Sequence, residues 1–433
     1  MRDQNPLPEG ALPVAVGLVV NGAATYAFLG IANRTLSAAA YSAVGVFWAL
    51  MFAVGNGIMQ PLEQEVARAV SARRAAGLGA GPVVRRAAAI GAVFSMVVIV
   101  AVGALHRLFE GWFDHNTTLV VAFVIGLVGF CAGHLTRGTL SSNRRFGAYA
   151  LFFGVDGVSR VLLAVMLAAV GVAAAGPFGL AMAVSPFIGV AAGLFHQKGL
   201  VEPGPEAPWD ELTRNLGWLL MGTISISLLV QGGTIAVGIL AGPDQKGAAG
   251  QFLNGLQTAR IPLFLFQAVL ASLLPKLSHQ AAEGRYPEFV GGLRRLVLAI
   301  LGLGVISTIG AAVFGPFVIR IVFGGQSALT GRDLALLAGA FILIMATICL
   351  DQGLIAIGAH RRMAVGWLLA LGVFVGVTAV GSDLFLRVEL GLLAGAGWAF
   401  AWMIIGLWSR LRHPPAAHEI DLAETLADLP VDN

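Results

Sequence analysis

The chain reads as a succession of apolar runs separated by short polar breaks, and each run is long enough to cross ~30 Å of hydrocarbon as a helix. The runs fall at 11–32, 38–60, 87–105, 117–136, 147–172, 176–196, 214–241, 248–275, 292–315, 334–358, 363–382 and 388–409. Twelve such runs predict an all-α polytopic membrane protein, because a helix satisfies its own backbone inside lipid. The opening MRDQNPLPEG lacks a cleavable signal pattern, so the first run is expected to stay in the mature protein.

The basic residues orient these spans. With the N-terminus placed inside, 19 of the 27 Lys and Arg residues fall in cytoplasmic breaks and 6 in external ones. That asymmetry predicts cytoplasmic termini and an even number of spans. Arg160 and Arg260 remain inside spans. The last segment, 413–433, carries Glu419, Asp421, Glu424, Asp428 and Asp432 and reads as a disordered cytoplasmic tail.

Composition agrees: 57% hydrophobic and 12% charged residues, with a mean hydropathy of +0.83, exclude an ordinary soluble domain. The pI of 9.4 comes from bases spread through short loops, which gives no nucleic-acid surface. Cys131 and Cys349 lie within apolar runs and read as core thiols, without a disulfide or a metal.

The two halves repeat. Span two runs into Pro61 and the basic segment PLEQEVARAVSARRAAG, and span eight runs into Pro275 and PKLSHQAAEGRYPEFVGGLRR. The stretch 136-TRGTLSSNRRF-146 follows span four, and 351-DQGLIAIGAHRRM-363 follows span ten. External turns 105-LHRLFEGWFDHN-116 and 317-FVIRIVFGGQSALTG-331 also correspond. Six spans per unit is an even number, so both units enter the membrane in the same sense. The expected lobes are 1–200 and 201–412. The segment 61–86, with Leu62, Val66 and Val70 interleaved with Arg73 and Arg74, reads either as a helix lying on the inner leaflet or as an ordinary positive-inside loop.

This order of Pro-ended second helix, Arg-Gly/Arg-Arg loop and Phe-Gly external turn resembles the multidrug/oligosaccharidyl-lipid/polysaccharide (MOP) flippase superfamily over residues 11–412. The loop style is most similar to its Wzx-type polysaccharide exporters. The resemblance implies a V-shaped pair of six-helix lobes with spans 1, 2, 7 and 8 lining a cavity. It also implies a lipid-linked oligosaccharide as substrate, with membrane lipids and polysaccharide-assembly enzymes as partners. A monomer in a bacterial inner membrane is expected, with no cofactor beyond H+ or Na+ as a coupling ion. Lipid II flippases of the superfamily carry arginines in spans one, two and eight, and only the last has a counterpart here.

Independently of any family, polar residues within spans should face protein or water. Thr223, Ser227, Gln231 and Thr234 share one face of span seven. Asn254, Gln257, Arg260 and Gln267 of span eight fall within an arc of about 140°. Asn21 and Thr25 in span one, and Asn56 and Gln60 in span two, are each one turn apart. These residues are the candidate substrate contacts, and the alternative is hydrogen bonding between packed helices.

Arg260 suits an anionic phosphate linkage, or else it pairs with Asp156 or Asp351 as a tie between lobes. Pro262 should kink its helix. Asp156 and Arg160, one turn apart, read as a local ion pair or as ion-coupling residues, and Asp351 as a coupling or an interfacial acid. The multidrug-extruding branch typically has an acid in span one or seven, and neither span carries one. No paired carboxylates, His cluster or nucleophile constellation points to an enzyme. The remaining readings are a lipid II-type flippase, a multidrug antiporter, or a scaffold in polysaccharide assembly.

Overall fold

A computed structural model of the chain describes residues 11–213, 216–263, 266, 273, 277, 280–281, 283–324 and 329–412. Among these residues the structure is helical and contains no strand. Eleven helices are long and apolar enough to cross a membrane. They match eleven of the twelve expected spans. The other, 248–275, is described as a helix over Ala248–Ala259 and lies mostly outside the described residues after residue 263.

The first seven helices are α1 (Ala11–Thr35), α2 (Ala38–Ala75), α3 (Gly81–Ala104), α4 (His106–Trp112), α5 (Thr117–Ser142), α6 (Phe146–Ala169) and α7 (Ala175–Leu194). A single turn, α8 (Asp210–Thr213), precedes α9 (Leu216–Leu240), α10 (Ala248–Ala259), α11 (Tyr286–Val322), α12 (Gly331–Ala356), α13 (His360–Thr378) and α14 (Leu384–Leu411). They form two compact units, the first ending at Leu216 and the second starting at Gly217, with Phe52–Gly57 of α2 grouped with the second.

Each unit repeats the same packing order. In the first, α1 packs on α6, α5 on α7, α6 on α7 and α3 on α5; in the second, α12 packs on α14, α13 on α14 and α11 on α12. The counterpart of α1 on α6 is α9 on α13, where Gly222 faces Met363 and Ala364, and Gly232 faces Phe374.

The turns repeat too. After α2, Leu78 N–H donates to the Arg73 carbonyl at 2.8 Å and Gly77 N–H to Arg74 at 3.0 Å; in the second unit Arg285 donates to Gln280 at 2.9 Å and Gly284 to Ala281 at 3.0 Å. This is the Schellman closure of a helix. The same closure follows α5 (Arg145 to Leu140, 2.9 Å) and α12 (Ala359 to Leu354, 2.8 Å). Its left-handed position is taken by Gly77, Gly284 and Gly358, but by Arg144 at φ 55° after α5.

Two expectations need correction. Pro61 does not end the second span, because α2 continues unbroken through it to Ala75. The segment after it is also not a surface helix. Leu62, Val66, Ala69 and Val70 form a core with Ala80, Val83, Ala87, Ala207 and Leu212. A proline inside a helix costs about 3 kcal/mol, whereas burying Leu62, Val66 and Val70 contributes roughly 1.5–3 kcal/mol each. Packing therefore carries the helix through the proline.

Arg73, read as part of an inner-leaflet helix or a positive-inside loop, is buried. It donates to the Glu211 carboxylate at 2.7 and 3.0 Å and to the carbonyls of Pro205 at 2.8 Å and Glu206 at 3.1 Å. The segment that follows α7 is thereby clamped to the end of α2. The two cysteines are free and buried, as expected of core thiols.

Candidate functional site

In the second unit, Arg260 at the end of α10 reaches the backbone of α9. Gln231, Asn254, Gln257 and Arg260 are buried, and Thr223 and Ser227 are half-buried. Helix α10 stops at Ala259 with Arg260 as its C-cap. The cause is Pro262, which has no N–H for the carbonyl four residues back and whose ring crowds that turn. The chain then closes a tighter turn, with Leu263 N–H donating to the Arg260 carbonyl at 2.9 Å. The kink expected at this proline is thus an interruption of the helix at the arginine, after which residues 261–263 are helical again.

The guanidinium is held in place on three sides. One terminal nitrogen donates to the Gln257 side-chain oxygen at 3.1 Å, the other donates to the Val230 carbonyl of α9, and the plane lies 5.0 Å from the Phe341 ring centroid. These groups are uncharged and fix its direction. Asp351, one of the two acids considered as its partner, is buried on α12 and accepts from Trp367 Nε1 at 3.3 Å. Gln267 lies outside the described residues.

In the first unit, sequence separated Asn21 from Asp156, and the fold brings them together. Asn21 Nδ2 donates to Asp156 Oδ2 at 2.9 Å and to the Phe153 carbonyl at 2.9 Å, and Ser185 Oγ donates to Asp156 Oδ1 at 2.8 Å. The Arg160 guanidinium stands 3.5 Å from Asp156 Oδ2 and 5.4 Å from the Trp48 ring centroid. The local pair exists, but its carboxylate also ties α1 and α7 to α6. Such close approach needs small residues: a Cβ on Gly157 would lie 3.0 Å from the Asn21 Cα. Asn56, in the stretch of α2 grouped with the second unit, is half-buried.

One cluster escaped the sequence reading. Glu63 of α2 accepts from His134 Nδ1 at 2.7 Å and from Arg137 Nε at 3.1 and 3.2 Å, with a further contact from the Arg137 terminal nitrogen. The Arg137 guanidinium also faces the Phe153 ring at 5.1 Å. The available signal was the three-residue spacing of His134 and Arg137, which puts both on one helix face. It became readable only once α2 was known to pass Pro61 and carry Glu63 along. Among the described residues, no group of three or more His, Cys, Asp or Glu is placed to hold a metal ion.

No family model matches the chain. Two uncharacterised proteins of Mycobacterium tuberculosis are each 25% identical to it. One matches over 395 residues, covering 88% of this chain and 85% of that protein. The other matches over 406 residues, covering 88% and 90%.

Among solved structures, an inward-facing multidrug resistance MATE family transporter of the MOP superfamily superposes with a TM-score of 0.68 at 15% identity, covering 93% of this chain and 100% of that one. An outward-facing structure of such a transporter gives 0.66 at 15% identity over 95% of both chains. A mutant of the Vibrio cholerae MATE transporter VcmN gives 0.67 at 14% identity, covering 94% and 97%. The chain therefore has the MATE-type fold of MOP-superfamily membrane transporters.

Proposed function

We propose that this protein is a flippase that moves a lipid-linked oligosaccharide across a bacterial inner membrane by alternating access. The observation that carries the reading is the break of α10 at Arg260, which leaves a buried guanidinium pre-oriented by Gln257 and the Val230 carbonyl on a polar face. A delocalised, permanently charged fork of donors suits the oxygens of a pyrophosphate linkage. The polar stripes of α9 and α10 would receive sugar hydroxyls, and the lipid tail would remain in the bilayer.

A second reading, multidrug antiport, is favoured by the names of the solved neighbours and by one local fact. Although α1 has no acid, Asn21 brings it into contact with the half-buried Asp156. The two readings separate in reconstituted liposomes carrying a fluorescent polyprenyl-pyrophosphate sugar. Wild type should transfer the probe between leaflets, Arg260→Ala should abolish transfer at equal protein level, and Arg260→Lys should restore only part of it. Equal transfer by the alanine variant removes the phosphate role. Failure of wild type to move the probe, together with accumulation of a cationic dye, would establish the antiport reading instead.

A further inference from the structure

The second unit contains a carboxyl group that no described partner satisfies. Glu389, in the first third of α14, has 0% exposure, and neither of its side-chain oxygens has a hydrogen-bond partner. Its neighbours make this unusual, since two other acids lie within electrostatic reach and both are bonded. Asp333 Oδ2 accepts from the Thr330 N–H at 2.7 Å, and its Oδ1 accepts twice from Arg332, at 2.9 and 2.7 Å. Asp383 Oδ1 accepts from the Leu386 N–H at 2.8 Å as the cap of α14.

Arg332, the base that acts on Glu389 among the described residues, is thus engaged by Asp333, and its side chain is 59% exposed. These groups come from α12 and from the start of α14. From α13, the hydroxyl of Thr378 is likewise buried without a partner and sits against Gly391, where an added Cβ would lie 2.2 Å from it. An ionised carboxylate buried with no donor, and with two acids nearby, is strongly disfavoured, and neutralisation is the ordinary response.

We infer that Glu389 is a proton-binding site of the second unit, loaded as a neutral acid in this packing and discharged when the α12, α13 and α14 seam admits water. Loading adds one proton to the carboxylate, and discharge returns that proton to water. The site would supply proton coupling whatever the cargo, so it stands apart from the oligosaccharide reading.

Two measurements on the full chain in liposomes test it. The first is labelling by a hydrophobic carbodiimide, which adds to protonated carboxyls, followed by mass spectrometry. Glu389 should be modified in preference to the exposed Glu283 and Glu288. Its labelling should fall about tenfold as pH passes from one unit below its midpoint to one unit above. An unlabelled Glu389, or labelling that ignores pH, overturns the inference.

The second is the transient charge displacement on a pH jump across a supported membrane, with no cargo present. Wild type should show it and Glu389→Gln, a close mimic of the neutral acid, should lose it. An unchanged displacement in that variant overturns the inference. If the glutamine variant fails to assemble, the labelling of wild type decides.

Discussion

Changing Glu63 to Gln tests whether the cluster that sequence missed is a stabilising unit of the first lobe. The substitution keeps an acceptor but removes the charge facing Arg137, whose Nε approaches both carboxylate oxygens at 3.2 and 3.1 Å. Both side chains are largely withdrawn from solvent, at 14% exposure for Glu63 and 17% for Arg137. Removing one partner of a buried pair costs about 3–5 kcal/mol. Residual exposure and the aromatic faces of Phe152 and Phe153, 5.9 and 5.1 Å from the guanidinium, reduce this; a loss of about 2–3 kcal/mol is expected.

Arg137→Met alone should cost a similar amount, since it strands the carboxylate. The double variant removes both charges and should lose clearly less than the sum of the two single losses, giving a coupling of about 2 kcal/mol. Equilibrium unfolding of all four proteins in one detergent measures the cycle. Single losses that add to within about 0.5 kcal/mol would show that Glu63 and Arg137 are neighbours without being a unit, and would refute the argument.

Other expectations follow from the same geometry. Arg73→Ala strips donors from the Pro205 and Glu206 carbonyls and from Glu211, so limited proteolysis should cut the 200–213 segment faster; an unchanged cleavage pattern would show that the apolar core alone holds it. Ser185→Ala removes one donor to Asp156 and should cost about 1–2 kcal/mol, whereas Asp156→Asn also removes the counter-charge of Arg160 and should cost more; thermal unfolding in detergent checks the order. Gly358→Ala forces a side chain into φ 71° and should lose about 1 kcal/mol, while Gly372→Ala, with open space around it, should lose nothing.

The apolar runs made the spans legible, because hydrocarbon thickness and the backbone's need for internal hydrogen bonds leave little choice of structure. Helix ends were less legible. Pro61 carries a strong local preference, but the residues that overrule it include Ala207 and Leu212, far along the chain. The polar stripes of α9 and α10 could be read from periodicity, because each lies on one helix. Asn21 with Asp156, and Glu63 with His134, could not be paired in that way, since those contacts depend on which helices become neighbours. Glu389 carries no periodic polar stripe to mark it, and only its 0% exposure in the folded unit singles it out.

The likeness of the two units gives their differences meaning. Matching helix pairs and four Schellman turns at corresponding loops argue that both units descend from one six-helix unit, since backbone turn geometry is independent of how apolar the spans are. Against that common plan, the second spans of the two units diverge. In the first unit α2 is a continuous helix through Pro61, anchored beyond it by an apolar core and by Arg73. In the second unit α10 breaks at Arg260, twelve residues after its start at Ala248. A proline alone does not dictate a break, as Pro61 demonstrates. The interruption before Pro262 is accompanied by a buried charge that donates to α9 and to α10 itself and faces Phe341 of α12. If the break exists to present that charge, Pro262→Ala should restore helical hydrogen bonding through residue 262, raise stability and lower transport together. A variant that gains stability and transports as wild type would show that the break serves packing alone.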